Sequence, residues 1–151
     1  MKMILISLFL ILPFMAYAQN GTKPFLTLDE AIRIADAAKL KAKAENWNVV
    51  ITILDEGGHL LALQRMDGTQ LGSIELSQLK AQAAVFYKRP SKVFEDQVTN
   101  GNNRPLTMPN VFASEGGIPI IKDGVVVGAI GVSGVTSVQD GIIAAAGLSA
   151  L

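Results

Sequence analysis

The sequence contains no cysteine. It therefore has no disulfide staple, no thiol nucleophile and no thiolate metal site. It has a single histidine, so a conventional zinc or copper centre, which takes three or four protein ligands, lacks its usual donors. Charge of either sign is not in excess: 13 basic residues face 13 acidic ones. No basic face is clustered, which excludes the footprint of a nucleic-acid binder. No G-x-S-x-G elbow is present, so the one histidine has no recognisable serine nucleophile to serve. No apolar run reaches the roughly 20 residues that a membrane-spanning helix needs.

Apolar residues, in contrast, make up 50% of the chain. Some of that excess lies at the start. Lys2 is followed by an apolar run from Ile4 to Phe14, and Ala16-Tyr17-Ala18 places small residues where a signal peptidase reads them. This is the pattern of a secretory signal peptide over residues 1–18. It predicts a periplasmic or secreted protein whose mature chain starts at Gln19. Loss of Lys2 leaves that chain with one net negative charge. Residues 19–25 read as a polar, flexible lead-in, and 26–151 as one domain, long enough for its own core. The domain is still rich in Ala, Val, Ile and Leu. With no disulfide available, some apolar surface is expected to be buried between subunits of a homo-oligomer.

Along the domain, Thr27-Leu28-Asp29-Glu30 has the form of a capping box, and apolar spacing predicts a helix over 27–45. Val49 to Leu54 and His59 to Met66 read as two strands joined by the turn Asp55-Glu56-Gly57-Gly58. A second helix is predicted from Ser73 to Lys88, stopped by Arg89-Pro90. A short third helix, 92–98, takes Ser91 as its cap. Asn100 to Asn103 is a loop, and Pro105 and Pro109 keep the next stretch irregular. A second hairpin pairs Ile118–Lys122 with Val125–Ser133 through a type I′ turn at Asp123-Gly124. Ser137, with Asp140 three residues on, opens the last helix. Hairpins alternating with helices predict an α+β layered domain, an antiparallel sheet flanked by helices.

Four features bear on function. His59 follows the first turn; imidazole is a haem-iron ligand, and haem needs only one axial protein ligand because the porphyrin supplies four. An ordinary strand-end histidine is the competing reading. Arg65 suits an anionic group such as a haem propionate, or an internal pair with Asp67 or Asp55. Met66, Met108 and Tyr87 are further iron-ligand types that equally serve as packing. Gly128, Gly131 and Gly134 are spaced unlike the dinucleotide fingerprint and lie within or at the end of a strand, where glycine permits close approach of a helix or a neighbouring subunit.

Leu54-Asp55-Glu56-Gly57-Gly58-His59-Leu60 with Arg65-Met66-Asp67-Gly68 resembles the hairpin signature of the GlcG/HbpS-like haem-binding family, which is related to the PduO C-terminal domain. Gly116-Gly117-Ile118-Pro119-Ile120, Gly124, the run Gly128 to Gly134, Gln139-Asp140 and Ala145 to Leu148 extend the resemblance over 26–151. The stretch Pro109 to Glu115 departs from the pattern. The resemblance implies a profilin-like layered fold and a homo-oligomer, often an octamer. It also implies a haem cofactor, for buffering, sensing or degrading haem, and a membrane sensor protein as partner; His59 stands at a common family position and is the candidate metal ligand, with Arg65 the cofactor-binding candidate from its own chemistry. Catabolic relatives imply an alternative, a small-molecule-binding accessory with Asp55, His59 and Arg65 in one pocket. A structural oligomeric module is the third reading.

Overall fold

The computed structural model describes residues 22–151; the expected signal peptide, 1–18, and the first residues of the expected lead-in lie outside them. The elements run α1 (Leu28–Ala44), β1 (Val50–Asp55), β2 (Leu60–Arg65), α2 (Gly72–Tyr87), α3 (Lys92–Thr99), a 3₁₀ turn (Arg104–Thr107), β3 (Gly117–Lys122), β4 (Val125–Ser133), α4 (Ser137–Gly147) and a closing 3₁₀ turn (Leu148–Ala150). The four strands form one sheet in the order β2-β1-β4-β3. Every neighbouring pair is antiparallel. This is the α+β layering expected from hairpins that alternate with helices.

The sheet is buried on both faces because its central strands are apolar on both. On β1, Ile51 and Ile53 join a core with Ile34, Ala35 and Ala38 of α1 and Ile143 and Ala144 of α4. Leu54 faces the other way, against Ala81, Ala84 and Val85 of α2. Thr52 shares that face, and its hydroxyl meets Ser77 Oγ at 2.8 Å. Helix α2 packs on β4, β1 and β3. It can lie close because β4 offers bare backbone: a Cβ on Gly131 would run into the Ser77 carbonyl and the Ala81 amide of α2. Gly128 and Gly134 likewise lie against the backbone of residues 54 and 48. The strand glycines therefore serve close approach within the subunit.

Local signals set most boundaries. Thr27 and Glu30 form the capping box of α1 as expected. The Asp123-Gly124 turn has positive φ at both residues, 50° and 76°, as a type I′ turn requires. Two caps differ from expectation. Helix α4 is capped by Thr136, paired with Gln139, not by Ser137 with Asp140; Asp140 is drawn instead into a buried ion pair. Ser91 is already helical, at φ −62° and ψ −23°, and makes no cap. Its hydroxyl donates to the Ser114 carbonyl at 2.6 Å and accepts from Gly117 N at 2.9 Å. It thereby ties the loop before β3 to α3.

Glu30 also binds Lys122 at the end of β3, with Oε1 2.7 Å from Nζ. The Lys122 hydrogen bond, aided by the Thr27 backbone, lowers its carboxyl from 4.5 to about 2. A depressed acid contributes stability that is present above its unfolded pKa and lost as pH falls through the folded one. The thermal midpoint is therefore expected to fall between pH 4.5 and about 2. Glu30→Gln is expected to flatten part of that acid limb in a pH series of melting curves. Superimposable limbs would contradict the assignment.

Candidate functional site

The first turn presents His59 by a local mechanism. Asp55 Oδ1 accepts from Gly57 N at 2.8 Å and from His59 N at 2.9 Å, which folds the chain tightly. Gly58, at φ +80°, closes the turn on the ring of Phe86 at the end of α2, where a Cβ would collide. His59 precedes β2 and does not lie in it. Its side chain is 82% exposed, and its Nδ1 stands 3.3 Å from both Asp55 carboxylate oxygens. Partial burial works to push the Asp55 carboxyl up. The N–H groups of His59 and Gly57, with the His59 ring, outweigh it and hold the carboxyl below its usual range.

A carboxylate on one ring nitrogen fixes the tautomer and orientation of the other, as it does behind metal-bound histidines. A proton held on Nδ1 by Asp55 would leave Nε2 as the ring acceptor of this exposed side chain. Exposed Leu60 and Phe86 flank the turn. These residues suit a haem: one available axial nitrogen, a carboxylate that orients it, and apolar side chains for the macrocycle. They do not suit a protein-only metal centre; among the described residues no three of His, Cys, Asp and Glu converge.

Arg65 is not part of this surface. It ends β2, six residues from His59, or about 20 Å at the rise of a strand. Among the described residues it forms an ion pair with neither Asp67 nor Asp55. The expectation of one pocket holding Asp55, His59 and Arg65 is thus corrected. Asp55 and His59 converge because the turn joins them, while the length of β2 carries Arg65 away. Arg65 lies instead at a cleft of about 590 Å³ with Lys39, Lys43, Trp47, Gln64 and Met66. The other candidate iron ligands have structural work. Tyr87 donates to the Pro109 carbonyl at 2.7 Å and stacks edge-on with Phe94 at 5.3 Å. Met66 packs on the main core, and Met108 is half-buried beside the 3₁₀ turn.

A polar centre that sequence reasoning missed lies behind the double glycine. Lys80 of α2 and Asp140 of α4 pair at 2.7 Å, their side chains 4% and 2% exposed. Burial pushes the Asp140 carboxyl up, while Lys80 and the N–H groups of Val135 and Gly134 pull against it. Gly116, at φ +128°, passes directly over the pair, and a Cβ there would press on both side chains. The pair joins helices on opposite faces of the sheet at its β3 edge. The only sequence signal was the unusual position of a lysine among the small residues of α2. This centre is closed to solvent and holds the layers together.

The fold is a small layered α+β domain, and it presents an exposed histidine backed by a carboxylate. The model of the family described as "Haem degrading protein HbpS-like" matches residues 26–149, and the chain belongs to that family. The protein GlcG of Escherichia coli is 41% identical over 112 residues, which span 74% of this chain and 84% of GlcG. Among solved structures, HbpS of Streptomyces reticuli, as a double mutant, matches with a TM-score of 0.79 at 27% identity, covering 89% of this chain and 92% of that one. The haem complex of PduOC matches with a TM-score of 0.76 at 28% identity, covering 85% and 96%.

Proposed function

We propose that this protein is exported and binds haem through His59. The observation that carries the reading is the setting of His59: its Nδ1 lies 3.3 Å from the Asp55 carboxylate while its side chain is 82% exposed. Membership of the HbpS-like family and the likeness to PduOC in its haem complex support it. Haem, when bound, would supply the redox chemistry of its iron. The chain's own residues bind and orient. Asp55 holds the imidazole, Gly57 and Gly58 let the turn pack tightly, and Phe86 and Leu60 offer apolar contact. A histidine 82% exposed cannot enclose a porphyrin by itself. A second copy therefore covers the open side, in a homo-oligomer such as the octamer that the resemblance implies. Buffering haem, or presenting it to a membrane sensor, fits such an exposed ligand better than turnover does.

Two experiments test this. In haemin titrations, His59→Ala is expected to weaken binding at least tenfold and to shift the Soret maximum, and Asp55→Asn to weaken it less. A His59→Ala spectrum identical to the wild type would remove His59 as the ligand. For export, the full-length chain expressed in a Gram-negative host is expected in the periplasmic fraction, with an intact mass that begins at Gln19. Cytoplasmic protein retaining residues 1–18 would refute export.

A further inference from the structure

We propose that the cleft at the Arg65 end of β2 is a second ligand site, for a small organic carboxylate with an apolar body. It lies between the last turns of α1 and the chain leaving β2, about 20 Å along the strand from the His59 turn. Its volume of about 590 Å³ falls in the range of small-molecule sites, about 300–1,000 Å³.

The lining combines two chemistries. Lys39, Lys43 and Arg65 bring three cations against one lining carboxylate, Asp67. Lys39 is held by Asp36 at 2.6 Å, and the same carboxylate receives Gln64 Nε2 at 3.0 Å. Lys43 and Arg65 make no ion pair among the described residues. Helix α1 ends here, and its carbonyls add about half a negative charge. Lys43, in the last turn, answers part of that charge, Lys39 is already taken by Asp36, and the Arg65 fork is left for a bidentate carboxylate. The apolar half comes from Trp47 and Met66, each half-buried with its inner side on the main core. Asn46 and Asn48 flank Trp47 with amide donors. A bare inorganic anion would leave the Trp47–Met66 wall unused, and a neutral apolar ligand would leave Arg65 and Lys43 unpaired. A carboxylate on an apolar body satisfies both.

Trp47 is the sole tryptophan, so its emission reports on this cleft alone. Phenylacetate is expected to change that emission saturably, and phenylacetamide, equal in shape but uncharged, to bind at least tenfold more weakly. Arg65→Gln and Lys43→Gln are each expected to weaken phenylacetate about tenfold while leaving the melting temperature unchanged. The Trp47 indole ¹H–¹⁵N signal should move with the same constant. No saturable response, equal binding of the amide, or unaltered binding by both variants would overturn the proposal. Calorimetry with haemin-saturated protein separates the two sites: an unchanged phenylacetate constant is expected, and displacement by haemin would overturn their separation. Failure of haemin to bind at all would count against the haem reading and leave the titration of the free protein as it stands.

Discussion

Lys80→Ala is expected to destabilise the domain by about 3–5 kcal/mol, the usual cost of stranding one charge of a buried pair. For a domain of this size that lowers the melting temperature by roughly 10–20 °C. The reason is geometric. Asp140 is 2% exposed, and Lys80 is its one cationic partner among the described residues, at 2.7 Å. Without the ammonium, the carboxylate must lose its charge or draw water in beneath Gly116, where backbone and side chains are already in contact. Replacing the pair together, as Lys80→Met with Asp140→Leu, removes both buried charges and is expected to recover most of the loss. Differential scanning calorimetry of the two variants decides the matter. A single variant as stable as the wild type would show that the pair carries no such role.

Gly131→Ala is the second large effect. One methyl group here meets main chain, the Ser77 carbonyl and the Ala81 amide, so no side-chain rotation relieves it. Helix α2 has to lift from β4, and with it the contacts of Ala81 and Ala84 against Leu54 and Ala129. Overpacking of a core typically costs 1–3 kcal/mol. A clash with main chain places this variant at about 3 kcal/mol or beyond. Chemical denaturation is expected to show a lower midpoint with an unchanged slope. Gly124→Ala makes the contrast, because a Cβ there meets open space and only the φ of +76° opposes it. Equal midpoints for the two variants would contradict the close-packing account of the strand glycines.

These residues also show where sequence reasoning reached and where it stopped. The capping box at Thr27 and Glu30, the Asp123-Gly124 turn and the β-branched run of β1 are local, so their physics is complete within a few residues. The whole element order followed from such signals. The cap of α4 was misplaced by one residue because Thr136 and Ser137 each have a partner three positions on. What separates them is Lys80, which claims Asp140 from 60 residues away in sequence. Ser91 misled for a similar reason: its hydroxyl serves Ser114 and Gly117 across the β3 approach.

The site was legible in part. His59 and Asp55 belong to one turn, so their meeting was within reach of the sequence. Arg65 was expected to meet an anionic group or to pair with Asp67 or Asp55; its actual neighbours at the cleft were not visible in the sequence. Lys43 and Trp47 come from the end of α1 and the turn after it, and they reach Arg65 only through the β1–β2 register and the way α1 crosses the sheet. Convergence of that kind is a property of the packed chain.

The most direct measurement of the central claim is a haemin titration of residues 19–151, the mature chain under the proposed export, followed at the Soret band. The account predicts a saturable, red-shifted Soret band at micromolar protein, with one haem per His59. A spectrum that remains that of free haemin throughout the titration would contradict it.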